Sequence, residues 1–171
     1  MRTGSCLCGA VAYALKGEMK PPVACHCKEC RQQSGHHFAA SETREDAVTL
    51  TRDEGLAWYK TSYFAPRRRS AAGRGGRDMK TGRCLCGDIT YTVAAQPSGA
   101  SACHCGQCRK QSGHVWASAF APKSAVTITG PVTWYEASPV AKRGFCARCG
   151  SFLFWTAHDE DTISFALGAV E

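Results

Sequence analysis

The chain has 171 residues, enough for one mid-sized domain or two small ones, and carries 12 cysteines and a formal charge of +7. No apolar stretch of signal-peptide length opens it and no run of about 18 apolar residues interrupts it, which argues against a secreted disulfide scaffold and against a membrane span. The expected setting is the cytoplasm, where thiols stay reduced and clustered cysteines hold metal.

In chain order, Ser5-Cys-Leu-Cys-Gly9 comes first, and the alternation Ala10-Val-Ala-Tyr-Ala14 predicts a strand after it. A denser cysteine motif follows, Ala24-Cys-His-Cys-Lys-Glu-Cys-Arg-Gln-Gln-Ser-Gly-His36, then Ala47-Val-Thr-Leu-Thr51 and Trp58-Tyr59. Residues 65–79 change character: Arg67, Arg68, Arg69, Arg74 and Arg77 stand among Gly and Ala. Such a run can attract nucleic acid or acidic head groups, but no aromatic residue interleaves to stack on bases. It reads as a solvated linker, with nucleic acid not expected as a partner.

From Met79 the chain starts again. Arg83-Cys-Leu-Cys-Gly87 repeats the first motif 78 residues later, and Ala102-Cys-His-Cys-Gly-Gln-Cys-Arg-Lys-Gln-Ser-Gly-His114 repeats the second at the same offset. Strands are predicted at Ile89–Val93, Val126–Thr129, Val132–Tyr135, Ser151–Trp155 and Thr162–Ala166, with a turn at Gly130-Pro131 and one short helix near Gln107–Gln111. With only two copies this is one domain written twice rather than a solenoid. The copies differ: the later one continues into Gly144-Phe-Cys-Ala-Arg-Cys-Gly150, where the earlier one runs into the Arg/Gly stretch. The organisation expected is an incomplete copy over 1–64, a linker over 65–79 and a full copy over 80–171. A shifted reading frame joining two adjacent genes at about residues 64 to 78 would leave this composition; the competing reading is real divergence, with the first copy retained as a packing partner.

Residues 80–171 hold seven cysteines, as C-x-C (Cys84, Cys86), C-x-C-x-x-C (Cys103, Cys105, Cys108) and C-x-x-C (Cys146, Cys149). A disulfide scheme leaves one over and strains close neighbours. Tetrahedral zinc takes four thiolates in a structural site. The outer pairs make four and the central group makes three. Three thiolates either leave a position open for water or a thiol, or are closed by a histidine such as His104 or His114; spacing alone allows both. Gln111, Ser112, Gly113 and His114 either line a pocket beside the metal or form a loop that needs glycine. Trp116 and Phe120 lie close by, at least one of them expected in the core.

These motifs, CLCG, CHCxxCRxxSGH and GFCxxCG with an apolar aromatic run, resemble the family of glutathione-dependent formaldehyde-activating enzyme and centromere protein V. The resemblance implies an all-β, Mss4-like zinc-bound β-sheet fold, here tandem duplicated with an incomplete first copy. It implies that Cys84, Cys86, Cys146 and Cys149 hold a structural zinc and that Cys103, Cys105 and Cys108 hold a catalytic one. The activity implied is that of a carbon–sulfur lyase acting on a small thiol adduct such as S-hydroxymethylglutathione, with glutathione as the thiol; Arg109 and Lys110 are candidates for holding its carboxylates. The alternative is a non-catalytic zinc module for a protein or nucleic-acid partner. In the first copy, Cys25, Cys27 and Cys30 offer one more zinc site, and Cys6 and Cys8 half of another. Family members usually continue beyond the point matching Glu171, so an edge strand is expected to be missing from the second copy.

Overall fold

The structure, a computed structural model, describes residues 1–59 and 79–171. The Arg/Gly-rich stretch over 65–78 and the reading-frame junction expected there lie outside the described residues. The N-terminal segment contains β1 (Arg2–Ser5), β2 (Val11–Leu15), β3 (Val23–Cys25), the helix α1 (Lys28–Ser34), β4 (Phe38–Ala40) and β5 (Val48–Asp53). The C-terminal segment contains β6 (Lys80–Arg83), β7 (Thr90–Val93), β8 (Ser98–Cys103), α2 (Gly106–Ser112), β9 (Trp116–Pro122) and β10 (Val126–Thr129). It continues through β11 (Val132–Ser138), β12 (Ala141–Cys146), β13 (Phe152–Ala157) and β14 (Thr162–Ala166). The protein is mostly β, in several antiparallel sheets. Among the described residues no helix is long and apolar enough to cross a membrane.

Two sheets enclose the C-terminal core. A three-stranded sheet, β10-β7-β6, faces a six-stranded one, β11-β12-β13-β14-β9-β8. Tyr91 from β7 meets Phe154 of β13 edge-on at 5.2 Å and Phe165 of β14 at 5.8 Å, and its hydroxyl donates to the Ala166 carbonyl at 3.2 Å. Phe152, Leu153 and Phe154 are all fully buried. That is why Phe152–Trp155 reads as an unbroken apolar run: a strand covered on both faces shows no alternation. β14 lies inside the sheet, between β13 and β9, and the edges are β11 and β8.

Six expected strands match observed ones within a few residues. β12 was not expected, because Ala141-Lys-Arg-Gly-Phe-Cys146 has neither alternation nor β-branched residues. It becomes a strand through pairing with β11 on one side and β13 on the other.

The N-terminal segment reproduces the start of this arrangement and, among the described residues, none of the rest. It has the small sheet β1-β2-β5 and the hairpin β3-β4. Tyr13 lies over Gly4 as Tyr91 lies over Gly82, and opposite Leu50 as Tyr91 lies opposite Ile128. Among the described residues no large sheet covers it, and Tyr13 is 39% exposed where Tyr91 is 2%.

The two segments pack together through α1, which sits on the 3-10 turn Leu167–Ala169 and reaches β13. The Gly168 amide donates to the Gly35 carbonyl at 3.0 Å. A Cβ on Gly168 would overlap the Arg31 and Gly35 backbone, so the close approach requires glycine there. Glu171 bridges the seam, accepting from Arg83 at 2.7 Å and Lys28 at 3.2 Å.

Candidate metal centres

The outer cysteine pairs converge as their count suggested. Cys84 and Cys86 flank the turn from β6 to β7; Cys146 ends β12 and Cys149 precedes β13. All four Sγ atoms lie within 4.8 Å of one another, with Cys84–Cys86 at 3.4 Å and Cys86–Cys146 at 3.6 Å. The local backbone fits this purpose. Gly87 takes a φ of +87°, closing a turn that lets the Ile89 amide donate to Cys84 Sγ at 3.3 Å. Fully buried Ser151 accepts from the Leu85 amide at 2.9 Å and stands 3.3 Å from Cys149 Sγ, tying the two cysteine hairpins together. Without a metal, these thiols cannot all ionise. Hydrogen bonding from Cys84, against the effect of burial, holds Cys149 down to about 4. Cys84 is pushed far up by that same pairing and by burial, and burial pushes Cys86 up to about 11. A dication is the group that would let all four be thiolates together.

The central group is built around a helix start. Cys103 ends β8, Cys105 caps α2, and Cys108 sits in its first turn with its amide donating to Cys105 Sγ at 3.4 Å. Their sulfurs also lie within 4.8 Å of one another. Neither His104 nor His114 brings a ring nitrogen into that set, and Cys105 faces solvent while Cys108 is buried. The hydrogen bond from the Cys108 amide leads the effects that bring Cys105 down to about 7, while burial pushes Cys108 up to about 12.

The Ser-Gly-His tail ends the helix. Ser112 Oγ donates to the Cys108 carbonyl at 2.8 Å and accepts from the His114 amide at 3.3 Å, and Gly113 takes the left-handed φ of 82° at the C-cap. Of its two neighbours, Trp116 is buried, stacked on Phe152 at 4.3 Å, and Phe120 is exposed. Lys110 Nζ donates to Ser5 Oγ at 3.3 Å.

Arg143 is the residue that spacing did not reveal. It is 3% exposed on β12, with Nη1 donating to Cys108 Sγ at 3.5 Å and Nη2 to Gln107 Oε1 at 3.0 Å. Its guanidinium lies over the Phe152 ring at 5.5 Å. A buried cation beside a thiol favours the thiolate. The only sequence signal was a charge three residues before a C-x-x-C, within a strand that propensity did not predict.

The N-terminal segment repeats the central group closely. Cys25, Cys27 and Cys30 gather within 4.8 Å, and Cys27 caps α1 with φ −61° and ψ 159°, the same angles as Cys105. Ser34 and Gly35 finish α1 as Ser112 and Gly113 finish α2. Cys6 and Cys8 stand 3.4 Å apart, as Cys84 and Cys86 do, with no further cysteine beside them. A cluster of imidazoles marks the seam between segments: His37 lies 5.0 Å from His26, 4.5 Å from His36 and 4.7 Å from His114, ring centre to ring centre. Burial and the neighbouring rings hold His36 and His37 below the usual histidine range.

Fold and site together define a class: a β-sheet protein organised around cysteine groups able to hold metal ions. The sequence model of the glutathione-dependent formaldehyde-activating enzyme family matches residues 1–69 and 79–171, and the chain belongs to that family. A crystal structure of a Rhodobacter sphaeroides protein is similar at 24% identity, over 53% of this chain and 87% of that one, with a TM-score of 0.44. A search of curated proteins gives no match.

Proposed function

We propose that residues 79–171 act as a zinc-dependent carbon–sulfur lyase-like unit on a small thiol adduct such as S-hydroxymethylglutathione. In this reading Cys84, Cys86, Cys146 and Cys149 hold a structural zinc, Cys103, Cys105 and Cys108 hold the catalytic one, and Cys25, Cys27 and Cys30 hold a third ion. The observation that carries it is the three-sulfur group, with no fourth His, Cys, Asp or Glu joining it among the described residues, open to solvent at Cys105 and backed by the buried Arg143. Family membership supports the thiol chemistry.

Cys103, Cys105 and Cys108 would hold the zinc, which would supply a Lewis acid able to keep a small thiol deprotonated. The chain's own residues set the environment. Arg143 offsets the negative charge gathered at Cys108, and Gln107 fixes the guanidinium by accepting from Nη2 while donating from Nε2 to the Ala137 carbonyl at 3.2 Å. Trp116 and Phe152 form an apolar wall behind the site, which strengthens each of these interactions by keeping water away. In the reaction proposed, the adduct's hydroxyl proton leaves, its carbon–sulfur bond breaks, and formaldehyde and a thiolate part; the reverse joins them. Arg109 and Lys110, on the exposed side of α2, are the cations nearest in sequence for the substrate's carboxylates.

The test uses the full chain. Zinc content is measured, then glutathione is titrated with and without formaldehyde, on the parent protein and on Cys105→Ser and Cys146→Ser. Cys105→Ser is expected to lose one zinc and the response to thiol while keeping its circular dichroism. Cys146→Ser is expected to lose the C-terminal fold, because structural zinc binding is folding free energy. Zinc that never responds to thiol would overturn the enzyme reading in favour of a non-catalytic zinc module.

A further inference from the structure

Cys6 and Cys8 form half of a metal site. The backbone hydrogen bonding of the Cys84–Cys86 turn is reproduced around them. The sulfurs are 3.4 Å apart in both pairs. The Val11 amide donates to Cys6 Sγ at 3.2 Å as Ile89 does to Cys84 Sγ at 3.3 Å. The Cys6 amide bonds the Val11 carbonyl at 3.0 Å and the Gly9 amide the Cys6 carbonyl at 3.2 Å, the same two distances as in the later pair. Yet the later pair is completed by Cys146 and Cys149, and this one is not. The other ten cysteines of the sequence fall into the three groups already described, so no unassigned cysteine of the chain is left to close it.

A second observation lies on the same small sheet. In the C-terminal segment the large sheet that supplies Cys146 also covers Tyr91. In the N-terminal segment Tyr13, Val48 and Leu50 stand exposed, Leu50 by 47%. Among the described residues, the cysteine pair and the apolar face lack their cover together. Tetrahedral zinc needs two more thiolates, and the unassigned pair that matches is Cys6 and Cys8 of another molecule.

The geometry points to a zinc-clasped homodimer of this protein: one ion held by Cys6 and Cys8 of each of two chains, with the β1-β2-β5 faces packed together about the two-fold axis. Such an isologous contact buries the same patch on both molecules and closes on itself. No bond is oxidised; two thiol protons leave from each chain as the ion binds.

The experiment titrates zinc into the full chain freed only of loosely held metal by a weak chelator, its circular dichroism unchanged, under a phosphine reductant, which adds no thiol. Mass is followed by light scattering and bound metal by elemental analysis. The expected result is a doubling of mass with zinc, and a final uptake step of one ion per two chains. Cys6→Ser/Cys8→Ser should stay monomeric and lose that step alone, keeping the zinc held by Cys103, Cys105 and Cys108 and its response to thiol, so this reading can fail while the proposed function stands. Leu50→Asp, on a face already exposed in the monomer, should weaken zinc-dependent dimerisation by at least 10-fold, because the contact would bury an unpaired carboxylate on each chain. A parent chain that stays monomeric at saturating zinc overturns the inference. So does a double variant that dimerises unchanged, or a final uptake step without dimerisation.

Discussion

Arg143 shows how much of a candidate metal centre lies outside its cysteines. Burying a guanidinium is costly unless negative charge meets it, and here Cys108 Sγ and Gln107 Oε1 are its partners. Arg143→Gln removes the cation and retains polarity. The expected outcome is a loss of about 10- to 100-fold in affinity at the three-thiolate site, read by competition with a chromogenic chelator, while the four-thiolate site is unaffected. An equal loss at both sites would mean that Arg143 acts on the fold instead. The clustering of the cysteines within each motif was legible because spacing is written locally: two or three residues set a turn, and the turn sets the sulfurs. Arg143 was not legible because 35 residues separate it from Cys108, and only the pairing of β12 within the sheet brings them together.

Among the elements, the two small sheets form a natural controlled comparison. Gly82 and Gly4 are covered by Tyr91 and Tyr13 in the same geometry, and a Cβ at either would overlap the ring. Tyr91 cannot move, because Phe154 and Phe165 surround it; Tyr13 is free on one side. Gly82→Ala is therefore expected to destabilise the protein by about 1–3 kcal/mol, the range for overpacking, and Gly4→Ala by much less, as thermal unfolding of the two variants in the monomeric Cys6→Ser/Cys8→Ser background would show. Equal losses would mean that the N-terminal face is covered in solution. Most strands were visible as alternation. α1's docking was not: Gln32 and Ser34 are polar and buried, and nothing in their pattern announces a packed face.

At the scale of the whole molecule, the seam between segments carries a titratable clasp. Burial works against ionisation of Glu171, but Arg83 and Lys28 outweigh it and hold the carboxyl below its ordinary value. A carboxylate depressed in the fold stabilises it fully above its unfolded value, and that contribution is lost as the pH falls through the folded one. Docking of α1 on Leu167–Ala169 is thus expected to loosen below about pH 4.5, with Glu171→Gln showing the loosened behaviour already at neutral pH. Hydrogen exchange at the Gly168 amide, which is bonded across the seam, reports it directly. Exchange there that ignores both pH and the substitution would place the strength of the seam in its apolar contacts alone. This seam could not be read from the sequence, since repeated motifs disclose that two segments share a plan and say nothing of how they meet.

The four tryptophans divide the molecule optically. Trp58 is 90% exposed, whereas Trp116 is sealed against Phe152 and paired across the strands with Cys103. Emission from the first falls at long wavelength and is open to iodide quenching; emission from the second is blue and shielded, yet close to sulfur and any ion bound there. With Trp134→Phe and Trp155→Phe, which remove the two partly buried tryptophans, one spectrum taken with and without quencher follows the N-terminal segment and the three-cysteine site separately.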